Sequence, residues 1–184
     1  MNKPDSNFLK TAFIKTLDVS FLYDDKEFST YYEQMPAYRR KKIDFYKFKK
    51  DKALSLGAGI LMNEMIEYLK ENLPASEGNF EVDFREQGRP FFKNLPGIHF
   101  SLAPSVKIVI AAASSHKIGV DVEEISGNKD INLTEWTKAE SYIKAEGLSV
   151  SDYLDKKIRL PADSFFKQWQ EDGHIFCVYE NSIL

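Results

Sequence analysis

Residues 118–144 begin Ile118-Gly119-Val120-Asp121-Val122-Glu123-Glu124-Ile125 and close on Trp136-Thr137-Lys138-Ala139-Glu140-Ser141-Tyr142-Ile143-Lys144. The first part alternates: Ile118, Val120 and Val122 stand between Gly119, Asp121 and Glu123. A strand sends successive side chains to opposite faces, so the apolar set faces a core. Asp121 and Glu123 then stand together on the other face, roughly 7 Å apart at Cα. In the second part Leu133, Trp136, Glu140, Ile143 and Gly147 recur at helical spacing. This places Glu140 in the apolar seam of a helix, where an unpaired carboxylate is costly. Lys144 follows one turn later on the same side. Three acids and a lysine that converge suit a hard divalent cation and an anionic substrate.

Outward from this stretch, the caps agree. Asn132 with Glu135 reads as an N-cap and its reciprocal acid, opening a helix over 133–146 that Gly147 ends. Lys107–Ala113 is almost wholly apolar and predicts a buried strand, turning through Ser114–Lys117 into the 118–123 strand as a hairpin. Ile98–Leu102 and Phe80–Phe84 predict further strands, with a turn at Gly88-Arg89-Pro90. Ser164–Trp169 and Ile175–Tyr179 predict a hairpin around Asp172-Gly173. Upstream, residues 11–22 suggest a first strand. Pro36 opens a long helical stretch that runs to about Asn72, with an apolar stripe of Leu54, Ala58, Leu61, Met65 and Tyr68. Gly57 and Gly59 inside it mark close packing against a sheet, at a cost of about 1 kcal/mol each relative to alanine. The fold class is α+β, mostly antiparallel, with one main helix per half.

Composition sets the remaining bounds. The chain has 184 residues, 43% hydrophobic and 29% charged, with a net charge of −3. These values suit a globular domain and give no global signal for nucleic acid or a membrane surface. No apolar run has the length of a membrane span. Cys177 is the single cysteine, and with no hydrophobic leader in 1–10 the expectation is cytoplasmic. His99, His116 and His174 lack zinc spacing. The basic run from Arg39 to Lys52 reads either as a solvated helix face or as a binding surface for phosphates.

The same motifs resemble those of the 4'-phosphopantetheinyl transferases that fold as two pseudo-symmetric halves. Gly119–Glu123 matches a G-[IV]-D-[IV]-E strand. Trp136, Thr137, Glu140, Ser141 and Lys144 match part of a W-[ST]-x-K-E-[AS]-x-x-K helix. Glu86, Gly88, Arg89 and Pro90 match an E-x-G-[KR]-P turn, and His99–Leu102 an H-F-[NS]-[IL] strand. The resemblance implies an N-terminal half over 1–105 on the coenzyme A side and a C-terminal half over 106–184 with the metal and catalytic helix. It implies Mg2+ held by Asp121, Glu123 and Glu140, with Glu140 as base and Lys144 beside the phosphates. Arg89, Lys41 and Ser105 would meet the cofactor. The implied reaction moves phosphopantetheine from coenzyme A to a serine of an acyl or peptidyl carrier protein, in a monomer that uses neither nucleic acid nor membrane.

The pattern also breaks. Ala103 and Pro104 replace the serine and histidine that touch the cofactor in the family, Leu54 replaces an arginine, and Ala139 a lysine. The connection 124–135, which helps to dock the carrier, is short. The 3'-phosphate of coenzyme A is therefore expected to contribute little. A non-catalytic relative that binds a carrier protein or nucleotide stays open beside the active transferase.

Overall fold

The alternation at 118–124 is a strand in the computed structural model, which describes residues 9, 11–73, 80–84, 90–125 and 132–182. In chain order the strands are β1 (Phe13–Asp18), β2 (Val82–Phe84), β3 (Pro90–Phe92), β4 (His99–Ser105), β5 (Ile108–Ser114), β6 (Ile118–Glu124), β7 (Phe166–Glu171) and β8 (His174–Glu180). The helices are α1 (Asp25–Glu33), α2 (Ala37–Phe45), α3 (Lys49–Asn72), α4 (Leu133–Glu146) and α5 (Val150–Leu154). The fold is α+β, as the pattern of elements predicts.

Two three-stranded antiparallel sheets carry the architecture, in the orders β1-β5-β4 and β6-β8-β7. The first runs strand β1, helix α3, then the β4–β5 hairpin. The second runs strand β6, helix α4, then the β7–β8 hairpin. In each sheet the last strand is central and the first and middle strands flank it. The two halves therefore share one topology, as the resemblance implies.

The central position of β5 corrects the expected hairpin between β5 and β6. It forms no hairpin with β6, because both its edges are filled, by β1 and by β4. Its two faces are also occupied. Val109 and Ala111 pack with α3, while Ile108, Ile110 and Ala112 join Ile118, Val120 and Val122 in a core between the halves. Residues 115–117 thus carry the chain from one sheet to the other. β4 ends at Ser105 and pairs with β5, which begins at Ile108. The halves are joined further by a buried hydrogen bond, in which Val120 N–H donates to Ser101 Oγ at 3.2 Å.

Local signals hold elsewhere. Asn132 accepts from the Glu135 N–H, and Gly147 ends α4 in the left-handed region at φ 70°. Asp172 and Gly173 turn the β7–β8 hairpin with φ of 47° and 76°, the two left-handed residues that a tight hairpin with matching twist needs. The long helical stretch is broken between α2 and α3, and Pro36 caps α2 from just outside it. Helix α1 was not anticipated: it is a short surface helix with no fully buried residue, capped by Asp24, which accepts from the Lys26 and Glu27 N–H groups.

Helix α4 lies on the Gly119–Asp121–Glu123 face of β6, and Gly119 explains how closely. A Cβ at Gly119 would overlap the Ser141 carbonyl and stand 2.6 Å from the Ala145 nitrogen. Backbone meets backbone there, so the buried face of α4 is made of small residues, Thr137, Ala139, Ser141 and Ala145, with Ile143. The expected seam through Trp136 and Glu140 is therefore displaced. Both are half-buried at the side of the contact.

Candidate functional site

The close approach of α4 to β6 brings the charged groups together. The Lys144 ammonium donates to Asp121 Oδ1 at 2.6 Å and lies 3.5 Å from Glu140 Oε2. Asp121 is 4% exposed, and its Oδ2 is buried without a hydrogen-bond partner. Burial pushes its carboxyl up to about 6. Lys144 opposes this, while the charges of Glu123 and Glu140 add to it. Glu123, Glu140 and Lys144 thus all act electrostatically on Asp121.

The lysine takes the place between Asp121 and Glu140. Among the described residues, no three His, Cys, Asp or Glu side chains are grouped to hold a metal ion. The orphaned Asp121 oxygen and the raised carboxyl nonetheless leave negative charge that a further cation would relieve. Directly across from Asp121, Cys177 on β8 is buried, and burial raises its thiol to about 11. Its sulfur accepts from the Ser141 hydroxyl at 3.4 Å. A thiol held protonated in this way is no nucleophile at neutral pH.

Glu140 and Lys144 form one wall of a cleft of about 590 Å³. The opposite wall is α2 and α3, with Arg39, Lys42, Ser55 and Gly59. The floor includes Phe100, Ser101, Leu102 and Pro104 of β4. The apolar stripe of α3 divides along its length: Leu54 and Ala58 face the cleft, and Leu61 and Met65 enter the core. The cleft therefore joins the charged end of the second half to a half-apolar, half-cationic wall of the first.

The remaining sequence candidates fall differently. Lys41 is exposed on α2 outside the cleft lining, and Ser105 at the end of β4 also lies outside it. Arg89 lies outside the described residues. The cations of α2 that do line the cleft are Arg39 and Lys42. They belong to the quoted basic run, and a helical period counted from the buried Met35 would have selected them. Met35, Tyr38, Arg39, Lys42 and Tyr46 share one face, while Arg40 and Lys41 do not.

Comparison with known proteins agrees with the motifs. No family model matches the chain. The chain is similar to the 4'-phosphopantetheinyl transferase ffp of Bacillus subtilis, 27% identical over 164 residues, covering 76% of this chain and 68% of that one. It is 26% identical to the 4'-phosphopantetheinyl transferase Sfp of Bacillus subtilis (strain 168), over 74% of this chain and 67% of the relative. The 4'-phosphopantetheinyl transferase gsp of Aneurinibacillus migulanus is 29% identical over 58% and 52%. The chain spans between about half and two thirds of these relatives' length.

Proposed function

We propose that this chain, a divergent relative of the 4'-phosphopantetheinyl transferases, transfers phosphopantetheine from coenzyme A to a serine of an acyl or peptidyl carrier protein in the cytoplasm. The observation that carries this is the Asp121–Lys144–Glu140 arrangement at one wall of the cleft. The cleft holds the nucleotide, and its charged end holds the pyrophosphate. The carrier serine oxygen attacks the pantetheine-side phosphorus, the phosphoanhydride bond breaks, and adenosine 3',5'-bisphosphate leaves. Glu140 takes the serine proton, being half-buried and within reach of the cleft. Lys144 neutralises phosphate charge as a mobile point charge, which requires it to exchange Asp121 for the substrate. Magnesium bound by Asp121, Glu123 and Glu140 would supply further charge neutralisation there. The unpaired Asp121 oxygen supports that set.

Leu54 and Pro104 favour a second reading. Both line the cleft where the family resemblance leads one to expect polar contacts. On that reading the chain binds nucleotide or carrier without transfer. One experiment separates the two: incubate the protein with a panel of apo-carrier proteins, coenzyme A and magnesium, then measure the carriers' intact mass. A gain of one phosphopantetheine on a serine supports transfer. No gain on any carrier, with coenzyme A bound, supports the second reading.

A further inference from the structure

We propose that the turn between α2 and α3 is a membrane-contact surface, which seats this chain on a bilayer of anionic lipid. The turn reads Phe45-Tyr46-Lys47-Phe48-Lys49-Lys50, three aromatics set among three lysines with no acid. Phe45 is 87% exposed and Phe48 is 60% exposed. Rings left in water to this extent stand out from the surface. One exposed apolar residue is ordinary, but two projecting phenyl rings in one turn form a patch.

The fold does not use these rings. The turn closes through its backbone: the Tyr46 N–H donates to the Ile43 carbonyl, and the Asp51 and Lys52 N–H groups donate to the Phe48 carbonyl. Buried Ile43 anchors α2 in the core. Phe45 and Phe48 join no core cluster among the described residues. The Phe45 ring meets Tyr46 edge-on at 6.2 Å, and the Lys47 ammonium lies 6.0 Å from the centre of the Phe48 ring. Neither contact takes the phenyl groups out of water.

The cleft does not use them either. Tyr46 lines it, while Phe45, Lys47, Phe48, Lys49 and Lys50 lie outside its lining. The surface is therefore separate from the cleft wall that carries Arg39 and Lys42, and it adjoins the cleft only through Tyr46.

The lysines define the partner. Lys49 pairs with Asp25 at 2.6 Å. Lys47 and Lys50 have no carboxylate partner among the described residues. Of the acids that flank the turn in sequence, Asp44 accepts from the Tyr32 hydroxyl and Asp51 lines the cleft. The tip is thus cationic, a local excess that the net charge of −3 conceals. A bilayer of anionic lipid matches both features. Phenyl rings enter the boundary between headgroups and acyl chains, while the ammonium groups stay with the lipid phosphates. A folded protein would need a pocket for each projecting ring, whereas a bilayer deforms around them. Two rings and three lysines give reversible contact rather than a permanent anchor.

The test is flotation of the full chain with vesicles of phosphatidylcholine alone and of phosphatidylcholine mixed with phosphatidylglycerol. The parent should bind the mixed vesicles at least about tenfold more tightly, and high salt should release it. Phe45→Ser with Phe48→Ser should weaken that binding by about tenfold or more. Lys47→Gln with Lys50→Gln should weaken it about tenfold. Lys157→Gln, exposed in the second half, should change nothing. Each variant should keep the parent's unfolding midpoint, because the rings hold no core. Phe48→Trp adds a direct reading of insertion: lipid brominated along its acyl chains should quench its fluorescence beyond that of Trp136 and Trp169 in the parent. The proposal is overturned by a parent that ignores mixed vesicles or binds both kinds equally, and by unchanged binding in the phenylalanine variant. An unquenched Phe48→Trp, or a lowered unfolding midpoint in the phenylalanine variant, overturns it as well. Binding to single-stranded RNA or to an acidic protein, with none to vesicles, overturns it in favour of that partner.

Discussion

Replacing Gly119 by alanine should damage stability and catalysis together, because one contact sets both. The added Cβ would stand 2.6 Å from the Ala145 nitrogen, 3.0 Å from the Ser141 carbonyl carbon and closer still to its oxygen. These are helix backbone atoms, which cannot rotate away as a side chain can. Restoring ordinary contact at about 3.5 Å moves α4 outward by roughly 1.5 Å. Overpacking of this kind costs about 1–3 kcal/mol. In a chain of this size that lowers Tm by about 2–4 °C per kcal/mol. The same shift lengthens the 2.6 Å Lys144–Asp121 contact. A 1 Å misplacement of reacting groups can cost about a hundredfold in rate. Urea unfolding followed by tryptophan fluorescence suits the test, since Trp136 and Trp169 both lie in the second half. Transfer to a carrier gives the second readout, and coenzyme A binding at the α2–α3 wall should change least. Gly173→Ala is the control. Its Cβ would meet nothing within 4 Å, so it pays only for φ +76°. A Gly119→Ala protein within about 0.5 kcal/mol of the parent and equally active would refute this account of the helix contact.

Three further outcomes are expected. In metal-free protein, Asp121 has its carboxyl raised from 3.8 to about 6. Its proton therefore favours the folded state, and this contribution, about 3 kcal/mol at 1.36 kcal/mol per tenfold change in proton affinity, is lost as pH rises from about 4 through 6. Asp121→Asn should flatten stability across that window in urea titrations from pH 4 to 8 while abolishing transfer, and parallel pH profiles for parent and variant would contradict it. Lys144→Gln should reduce transfer by a hundredfold or more, about 2.7 kcal/mol, with a smaller effect on coenzyme A affinity; undiminished turnover would remove Lys144 from the site. Val106 turns the β4–β5 hairpin at φ 50°, half-exposed, so Val106→Asn should stabilise by about 1 kcal/mol, and a lowered unfolding midpoint would refute the strain.

What the sequence shows of this fold depends on how local the signal is. Asn132 and Gly147 bracket α4, and Asp172-Gly173 turns the last hairpin, because caps and tight turns are decided within a few residues. The partner of β5 was not readable in this way. Its apolar run shows burial on both faces, but says nothing of which strands fill its edges. The small-residue face of α4 was hidden for a related reason: Thr137, Ser141 and Ala145 look unremarkable until Gly119 brings a strand backbone against them. The cleft cations show a third limit. On a helix as short as α2, moving the register by one residue turns the chosen face by about 100°. That is the difference between Lys41, outside the cleft lining, and Arg39 and Lys42, within it.

The shared topology of the halves makes their difference informative. In the first half the glycine at the helix–strand contact sits on the helix. A Cβ at Gly57 would clash with Val19 and lie 3.6 Å from Leu17 Cδ2, so apolar side chains fill the space and the contact becomes core. In the second half the glycine sits on the strand, and the helix backbone itself takes the space. Lys144 reaches Asp121 beside the contact at 2.6 Å and lies 3.5 Å from Glu140. The same arrangement of strand, helix and hairpin therefore produces a packed wall in one half and a charge cluster in the other. The side that carries the glycine decides which, and the cleft lies where the two walls face each other.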